Sequence, residues 1–370
     1  INLGTSAWGD NVSSGSFTAT RVLTHFNTQD IAFGDGKYMA IGSANISEYV
    51  SGSGTFDNGS SSHFDNQSFN SYGNYLLTSS DSGNTWQYLD NQTFSSIKGI
   101  AYGNGSFLVM TNEKSFLSND GGSSWQERSS FNNINLGTGA WGDNVFSGSF
   151  TATRVLTHFN TQDIAFGDGK YMAIGSANIS EYVSGSGTFD NGSSSHFDNQ
   201  SFNSYGNYLL TSSDSGNTWQ YLDNQTFSSI KGIAYGNGSF LVMTNEKSFL
   251  SNDGGSSWQE RSSFNNINLG TSAWGDNVSS GSFTATRVLT HFNTQDIAFG
   301  DGKYMAIGSA NISEYVSGSG TFDNGSSSHF DNQSFNVYGN YLLTSSDSGN
   351  TWQYLDNQTF TDPRGISYGK

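Results

Sequence analysis

The chain has no cysteine and one proline, Pro363, in 370 residues. Without thiols it forms neither disulfides nor thiolate metal sites, and that count leaves its compartment open. Basic residues are also few: 14 Lys and Arg stand against 31 Asp and Glu, a formal net charge of −17, and they form no cluster. A surface of that sign repels phosphate backbones and anionic lipid, so no nucleic acid partner is expected. There is no apolar run long enough to span a bilayer, and no membrane insertion is expected. Helical signal is equally scarce, because the best window, residues 111–117, is short and lacks a sustained 3.6-residue apolar period. The chain opens at Ile1 without methionine or a signal-peptide pattern, which reads as a mature or excised segment.

What is abundant is Gly, Ser, Thr and Asn, together with aromatic residues at 15% spread along the chain. That aromatic content separates it from disordered sequences. Aromatic and β-branched residues punctuated by Gly, Asn, Asp and Ser predict short strands joined by tight turns, an all-β protein.

Self-comparison gives a period of 133 residues: "INLGTSAWGDN" at Ile1, "INLGTGAWGDN" at Ile134 and "INLGTSAWGDN" at Ile267. The expected organisation is one domain over 1–370, built of copies 1–133, 134–266 and 267–370. Up to Phe94, Phe227 and Phe360 the copies differ only at Ser6/Gly139/Ser272, Ser13/Phe146/Ser279 and Ser71/Ser204/Val337. After Phe360 the third copy departs into "TDPRGISYGK".

A second pattern, Ser-x-Asp-x-Gly-x-Thr/Ser-Trp, occurs five times, with Asp81, Gly83, Trp86; Asp120, Gly122, Trp125; Asp214, Gly216, Trp219; Asp253, Gly255, Trp258; and Asp347, Gly349, Trp352. A carboxylate that accepts turn N–H groups, a glycine free to take positive φ and an indole that anchors a sheet together make a hairpin turn, so the motif reads as scaffolding. It resembles the Asp-box (BNR repeat) of sialidase-like β-propellers. The resemblance implies four-stranded antiparallel blades, with the box between the third and fourth strands and the Trp packed between neighbouring blades. Two blades per copy give about six, of which the last is represented only by "RGISYG" at residues 364–369. Residues 1–27 are candidates to complete it by strand exchange. A different count makes "GAWGDN" and "SFTATRVLTHF" a third, boxless blade in each copy.

The same resemblance invites a search for glycosidase machinery. The arginine triad of sialidases is not matched, since each copy carries two arginines, Arg21 and Arg128 in the first. Fold is then carried over without activity, and the sequence reading is a protein that is not an enzyme, with a glycosidase as the alternative. Ligand binding is expected instead in the insertion at residues 43–74, where aromatic rings alternate with amides and carboxylates suited to sugar C–H faces and hydroxyls. The candidates are Tyr49, Asp57, Asn58, His63, Asp65, Asn66 and Phe69. Tyr182, His196 and Phe202 repeat them in the second copy, and Tyr315, His329 and Phe335 in the third. The plainer reading of the insertion is a long loop whose aromatics pin it to the blade.

No cofactor is expected. His25 and His63 lack the spacing of a zinc site, while calcium at the "FDNGSSSHFDN" carboxylates is the metal the residues suit best. Asn45, Asn58, Asn66, Asn91 and Asn104 open glycosylation sequons. Together these features predict an extracellular or cell-surface adhesion glycoprotein that binds carbohydrate, with a glycan or surface protein as partner. Two alternatives are a filament or layer subunit that self-associates by strand complementation, and an engineered repeat propeller.

Overall fold

The computed structural model describes residues 1–222, 227–355 and 360–369, with the backbone alone for residues 90–93. No helix occurs among them. The chain divides into two compact units, Ile1–Ser129 with Gly369–Lys370, and Ser130–Tyr368. The fold is all-β, built from antiparallel meanders in which strand order within each sheet follows sequence order.

The first unit holds two sheets. One is five-stranded: β1 (Asn2–Ala7), β2 (Val12–Gly34), β3 (Lys37–Phe56), β4 (Ser61–Ser79) and β5 (Gln87–Phe94). The other is four-stranded: β6 (Gly99–Gly103), β7 (Ser106–Met110), β8 (Lys114–Ser118) and β9 (Gln126–Ser130). The second unit repeats the pattern. A five-stranded sheet of β10 (Ile134–Ala140), β11 (Val145–Gly167), β12 (Lys170–Phe189), β13 (Ser194–Ser212) and β14 (Gln220–Leu222) is followed by four strands, β15 (Ile230–Gly236), β16 (Ser239–Thr244), β17 (Lys247–Ser251) and β18 (Gln259–Ser263). Its last sheet contains β19 (Ile267–Ala273), β20 (Val278–Gly300), β21 (Lys303–Phe322), β22 (Ser327–Ser345) and β23 (Gln353–Leu355).

The insertion is sheet rather than loop. β3 and β4 run through residues 43–74 with only the turn at residues 57–60 between them, paired from Tyr38↔Ser79 to Thr55↔Ser61, and β2 follows them outward to Val12↔Phe56. A strand of 23 residues far exceeds the usual three to ten, or roughly 10–35 Å. The reason is period-2 patterning that persists beyond the blade, as in "SFTATR", where Phe17 and Ala19 are buried and Thr18 is exposed. Bulges at Leu23/His25 and Thr28/Asp30 let the blade and its extension keep different inside–outside phases along one strand.

One expectation is corrected by this pairing. "GAWGDN" and "SFTATRVLTHF" do not make a third blade, because β2 pairs with β3 along its whole length and β1 pairs onto β2 at Thr5↔Thr20 and Ala7↔Thr18. Residues 1–27 pair within the first sheet, β1 with β2 and β2 with β3, and β1 forms its edge.

Apolar layers form where neighbouring sheets face each other. In the first unit Met39, Ile41 and Leu76 meet Ile100, Phe107 and Val109. In the second, Met172, Ile174 and Leu209 meet Ile233, Phe240 and Val242, and Leu241, Met243 and Phe264 meet Phe292, Tyr304 and Trp352. Each outward extension adds a small core of its own, such as Phe17, Ala19 and Val50 under Trp8, Val12, Phe56 and Phe64.

Candidate ligand-binding surface

The Asp boxes spend their polar atoms on themselves. Ser79 Oγ donates to Asp81 Oδ1 at 2.8 Å and accepts the Gly83 N–H at 2.9 Å. The Thr85 N–H reaches the same carboxylate oxygen at 2.8 Å, and its hydroxyl reaches Oδ2 at 2.6 Å. Gly83 has φ +84°, a conformation that a side chain would strain. The hydroxyl and N–H of Thr85, then the hydroxyl of Ser79, pull the Asp81 carboxyl down to about 2, and the Ser124 and Ser257 counterparts do the same for Asp120 and Asp253. For Asp214 and Asp347 slight burial pushes upward, but the hydrogen bonds outweigh it and the pKa is lowered. Trp219 and Trp352 are buried, while Trp86, Trp125 and Trp258 are half-buried.

In each extension the two sheet faces differ in chemistry, because residues directly opposite in an antiparallel ladder share a face. One face carries Phe17, Gly52 and Phe64, then Ala19 and Val50, then Arg21, Glu48 and Phe69. Trp8 folds over it, stacked on Phe69 at 5.3 Å and edge-on to Phe64 at 5.5 Å. Its Nε1–H donates to Glu48 Oε2 at 3.3 Å, and Arg21 Nε lies 3.1 Å from Glu48 Oε1. Trp141 with Phe202, Glu181 and Arg154, and Trp274 with Phe335, Glu314 and Arg287, repeat the arrangement, with stacking distances of 5.1 and 5.3 Å. An open depression of about 500 Å³ borders Trp141, lined also by Asp143 and Phe189.

The opposite face is a plane of hydroxyls, amides and rings. Its rows are Thr5–Thr20–Tyr49–Ser68, Ser16–Ser53–His63, Val22–Ser47–Asn70 and His25–Asn45–Tyr72. Thr5 and Thr20 hydroxyls meet at 2.9 Å, and Ser47 Oγ donates to Asn70 Oδ1 at 2.7 Å. Tyr72 is 74% exposed, and its equivalents Tyr205 and Tyr338 are 72% and 74% exposed.

The candidates read from sequence therefore fall in three places. Tyr49 and His63 lie on the hydroxyl plane, as do Tyr182 and His196, and Tyr315 and His329. Phe69, Phe202 and Phe335 stack on tryptophans of the opposite face. Asp57 and Asn58 form the hairpin tip, where Asn58 Oδ1 accepts the Ser60 N–H at 2.9 Å. Asp65 and Asn66 form a bulge, with Asn66 at φ +53° and its N–H on Ser51 Oγ. Among the described residues no group of three His, Asp or Glu ligands forms at that tip. Asn45, Asn58, Asn66 and Asn104 are exposed, whereas the Asn91 side chain lies outside the described residues.

Sequence reasoning missed Trp8, Glu48, Thr5, Thr20 and Tyr72; strict alternation in "SFTATR" was the visible signal of Thr20. It also missed a buried carboxylate in each copy. Asp30 accepts the N–H of Ile31 at 2.6 Å and of Ile100 at 2.7 Å, tying the first unit's two sheets together. Burial pushes its carboxyl up to about 7 against the pull of those two N–H groups. Asp163 accepts from Ile164 and Ile233, and Asp296 from Ile297 and Ile366; one carboxylate oxygen of each lies within 4.8 Å of the other. An acid in the otherwise apolar "DIAFG" was the sign of them.

No family model matches the chain, and no curated protein matches it. It is similar to several solved structures. YCF48 bound to a D1 peptide shares 12% identity over 91% of this chain and 84% of that one, with a TM-score of 0.34. The Trypanosoma rangeli sialidase in complex with sialic acid shares 10%, over 93% of this chain and 59% of its own length, with a TM-score of 0.34. Apo AztD from Citrobacter koseri shares 9% over 97% of both chains, with a TM-score of 0.29. The expectation that the protein is not an enzyme is withdrawn on this finding, since these structures include sialidases, which are enzymes, one of them a mutant displaying trans-sialidase activity. Likeness at this level assigns neither activity nor ligand to the chain.

Proposed function

We propose that the chain is an extracellular or cell-surface β-propeller that holds a glycan against the hydroxyl-rich plane of its long hairpins, once per repeat. The observation that carries this reading is the plane itself: solvent-facing Tyr49 and Tyr72 stand among Thr20, Asn45, Ser51, Ser68 and Asn70 on a face held by three or four continuous strands. Ring faces suit sugar C–H groups, and amides and hydroxyls suit sugar hydroxyls. A rigid sheet presents them without the ordering cost that a loop would incur. Three equivalent weak sites gain avidity wherever a target can span them.

A glycan array followed by calorimetry on the best hit tests this. The triple variant Tyr72→Ala, Tyr205→Ala, Tyr338→Ala alters only exposed rings and is expected to weaken binding about tenfold or more, with the thermal midpoint unchanged. Undiminished binding would remove the plane from consideration.

A further inference from the structure

One residue at the outer end of the hydroxyl plane sets the second repeat apart. Phe146 stands where the first and third repeats carry Ser13 and Ser279. Those serines donate Oγ to the Thr55 and Thr321 carbonyls, each at 2.9 Å. A phenylalanine cannot make that bond, and Phe146 is 77% exposed. It occupies a bulge of β11, between Val145 paired with Phe189 and Ser147 paired with Thr188. The second repeat thus gives up a hydrogen bond and puts a large apolar ring in water, at a position where serine is accommodated twice.

That ring extends a series already present along β12. Tyr205 lies opposite Asn178, Tyr182 is four residues further out, and the Phe146 bulge is opposite Thr188, six residues beyond Tyr182. At ~3.3 Å per residue the two steps are about 13 Å and about 20 Å. Ser180, Ser184 and Ser186 share the face between them. Ser180 Oγ donates to Asn203 Oδ1 at 2.7 Å, and Ser184 Oγ accepts the Asn199 N–H at 3.0 Å. One sugar ring is too short to touch two of these aromatics, whereas a chain of sugars laid along the strand touches them in succession. Charge narrows the class further. Among the described residues, the paired rows of this face hold no Asp, Glu, Lys or Arg, in a chain with 31 acids. Arg154 and Glu181 lie on the opposite face, 3.1 Å apart, and Asp190 and Asp198 belong to the hairpin tip and the bulge of β13. A polyanionic glycan finds no cation in those rows and is repelled by the net charge of −17.

We propose, resting on the reading of this plane as a glycan site, that its ligand is an uncharged, extended β-linked polysaccharide lying along the strands, and that the second repeat is the tightest of the three sites because Phe146 meets the chain beyond Tyr182. A β-linked chain of glucose units is a flat ribbon that lays its C–H faces on rings of one sheet face, while an α-linked chain coils away from it. The hydroxyls and amides between the rings take the sugar hydroxyls.

Calorimetry of the whole chain tests this with β-1,4-linked glucose oligomers of one, three and six units, the α-1,4-linked hexamer and a hexamer of galacturonate. Affinity is expected to rise with length in the β series and to be about tenfold or more lower for the α-linked and anionic hexamers. The β-linked hexamer should show one tight and two weaker sites per chain. Phe146→Ser copies the two sister repeats, so the fold accommodates it; it is expected to weaken the tight site about fivefold, giving three equal sites, and to leave the trimer's affinity unchanged. Ser13→Phe should convert a weak site into a second tight one. Three equal sites in the unaltered chain, a tight site that survives Phe146→Ser, or equal affinity for the α-linked or anionic hexamer would overturn the proposal while leaving the plane a glycan site. Binding of no oligosaccharide on the calorimeter or the array would remove both.

Discussion

A small set of residues recurs because each meets a demand that few side chains satisfy. Ser212 of the third Asp box is buried; its hydroxyl donates to Asp214 at 2.8 Å and accepts the Gly216 N–H at 2.8 Å. Ser212→Ala strands a buried backbone donor, which costs roughly 1–3 kcal/mol, while Ser213→Ala at the exposed neighbour should stay within about 0.5 kcal/mol. Urea unfolding of the pair checks this; equal midpoints would show that the hydroxyl bridge is incidental. The boxes were legible in the sequence because Asp, Gly and Trp at fixed offsets are demanded by one turn. Asp30, Asp163 and Asp296 were not, because a lone acid in a strand reveals its burial and its two N–H partners only when the next sheet is in place.

At the level of the element, the strands show where pattern suffices and where it fails. The blade strands were readable from alternation and turn residues, and so was the hairpin nature of each box. The extension was misread as a loop because Ser and Gly dominate residues 43–74, whereas ladder pairing with β2 makes a long sheet of them regardless. Tyr49 and His63 do not share a face with Phe69, for a geometric reason. Phe69 opposes Glu48, one residue from Tyr49, and adjacent residues in a strand face opposite ways. The small core over that face makes the extension separable from the blade. Trp8 is only half-buried, yet it contacts Phe17, Phe64 and Phe69 and bonds Glu48. Trp8→Ala is expected to cost about 2–3 kcal/mol locally. Amide exchange should then lose protection at residues 16–22, 47–53 and 62–69 and keep it at residues 37–42 and 74–79 of the same strands. Uniform loss along β3 and β4 would mean that blade and extension melt together.

Over the whole molecule, charge and burial act together on stability as pH changes. The Asp30 carboxyl has a folded pKa of about 7 against an ordinary 3.8, so between those values the folded state holds a proton that the unfolded state has released. Stability from this group is therefore greatest near pH 4 and falls as pH rises towards 7, by roughly 2–4 kcal/mol. The box carboxylates act in the opposite sense. With folded values of about 2 against 3.8 at Asp81, Asp120 and Asp253, their contribution is present above pH 4 and is lost as pH falls towards 2. Net charge reinforces the first trend, since 31 acids against 14 bases leave a self-repulsion that grows as carboxylates ionise. The thermal midpoint is thus expected to peak between about pH 4 and pH 5 and to decline on both sides. Asp30→Asn separates the causes: it should flatten part of the decline towards neutral pH while leaving the acid limb in place, because the boxes still titrate. A neutral limb unchanged by Asp30→Asn, but flattened by 0.5 M salt, would assign that limb to surface repulsion instead, since salt screens exposed charges and reaches a buried carboxylate far less.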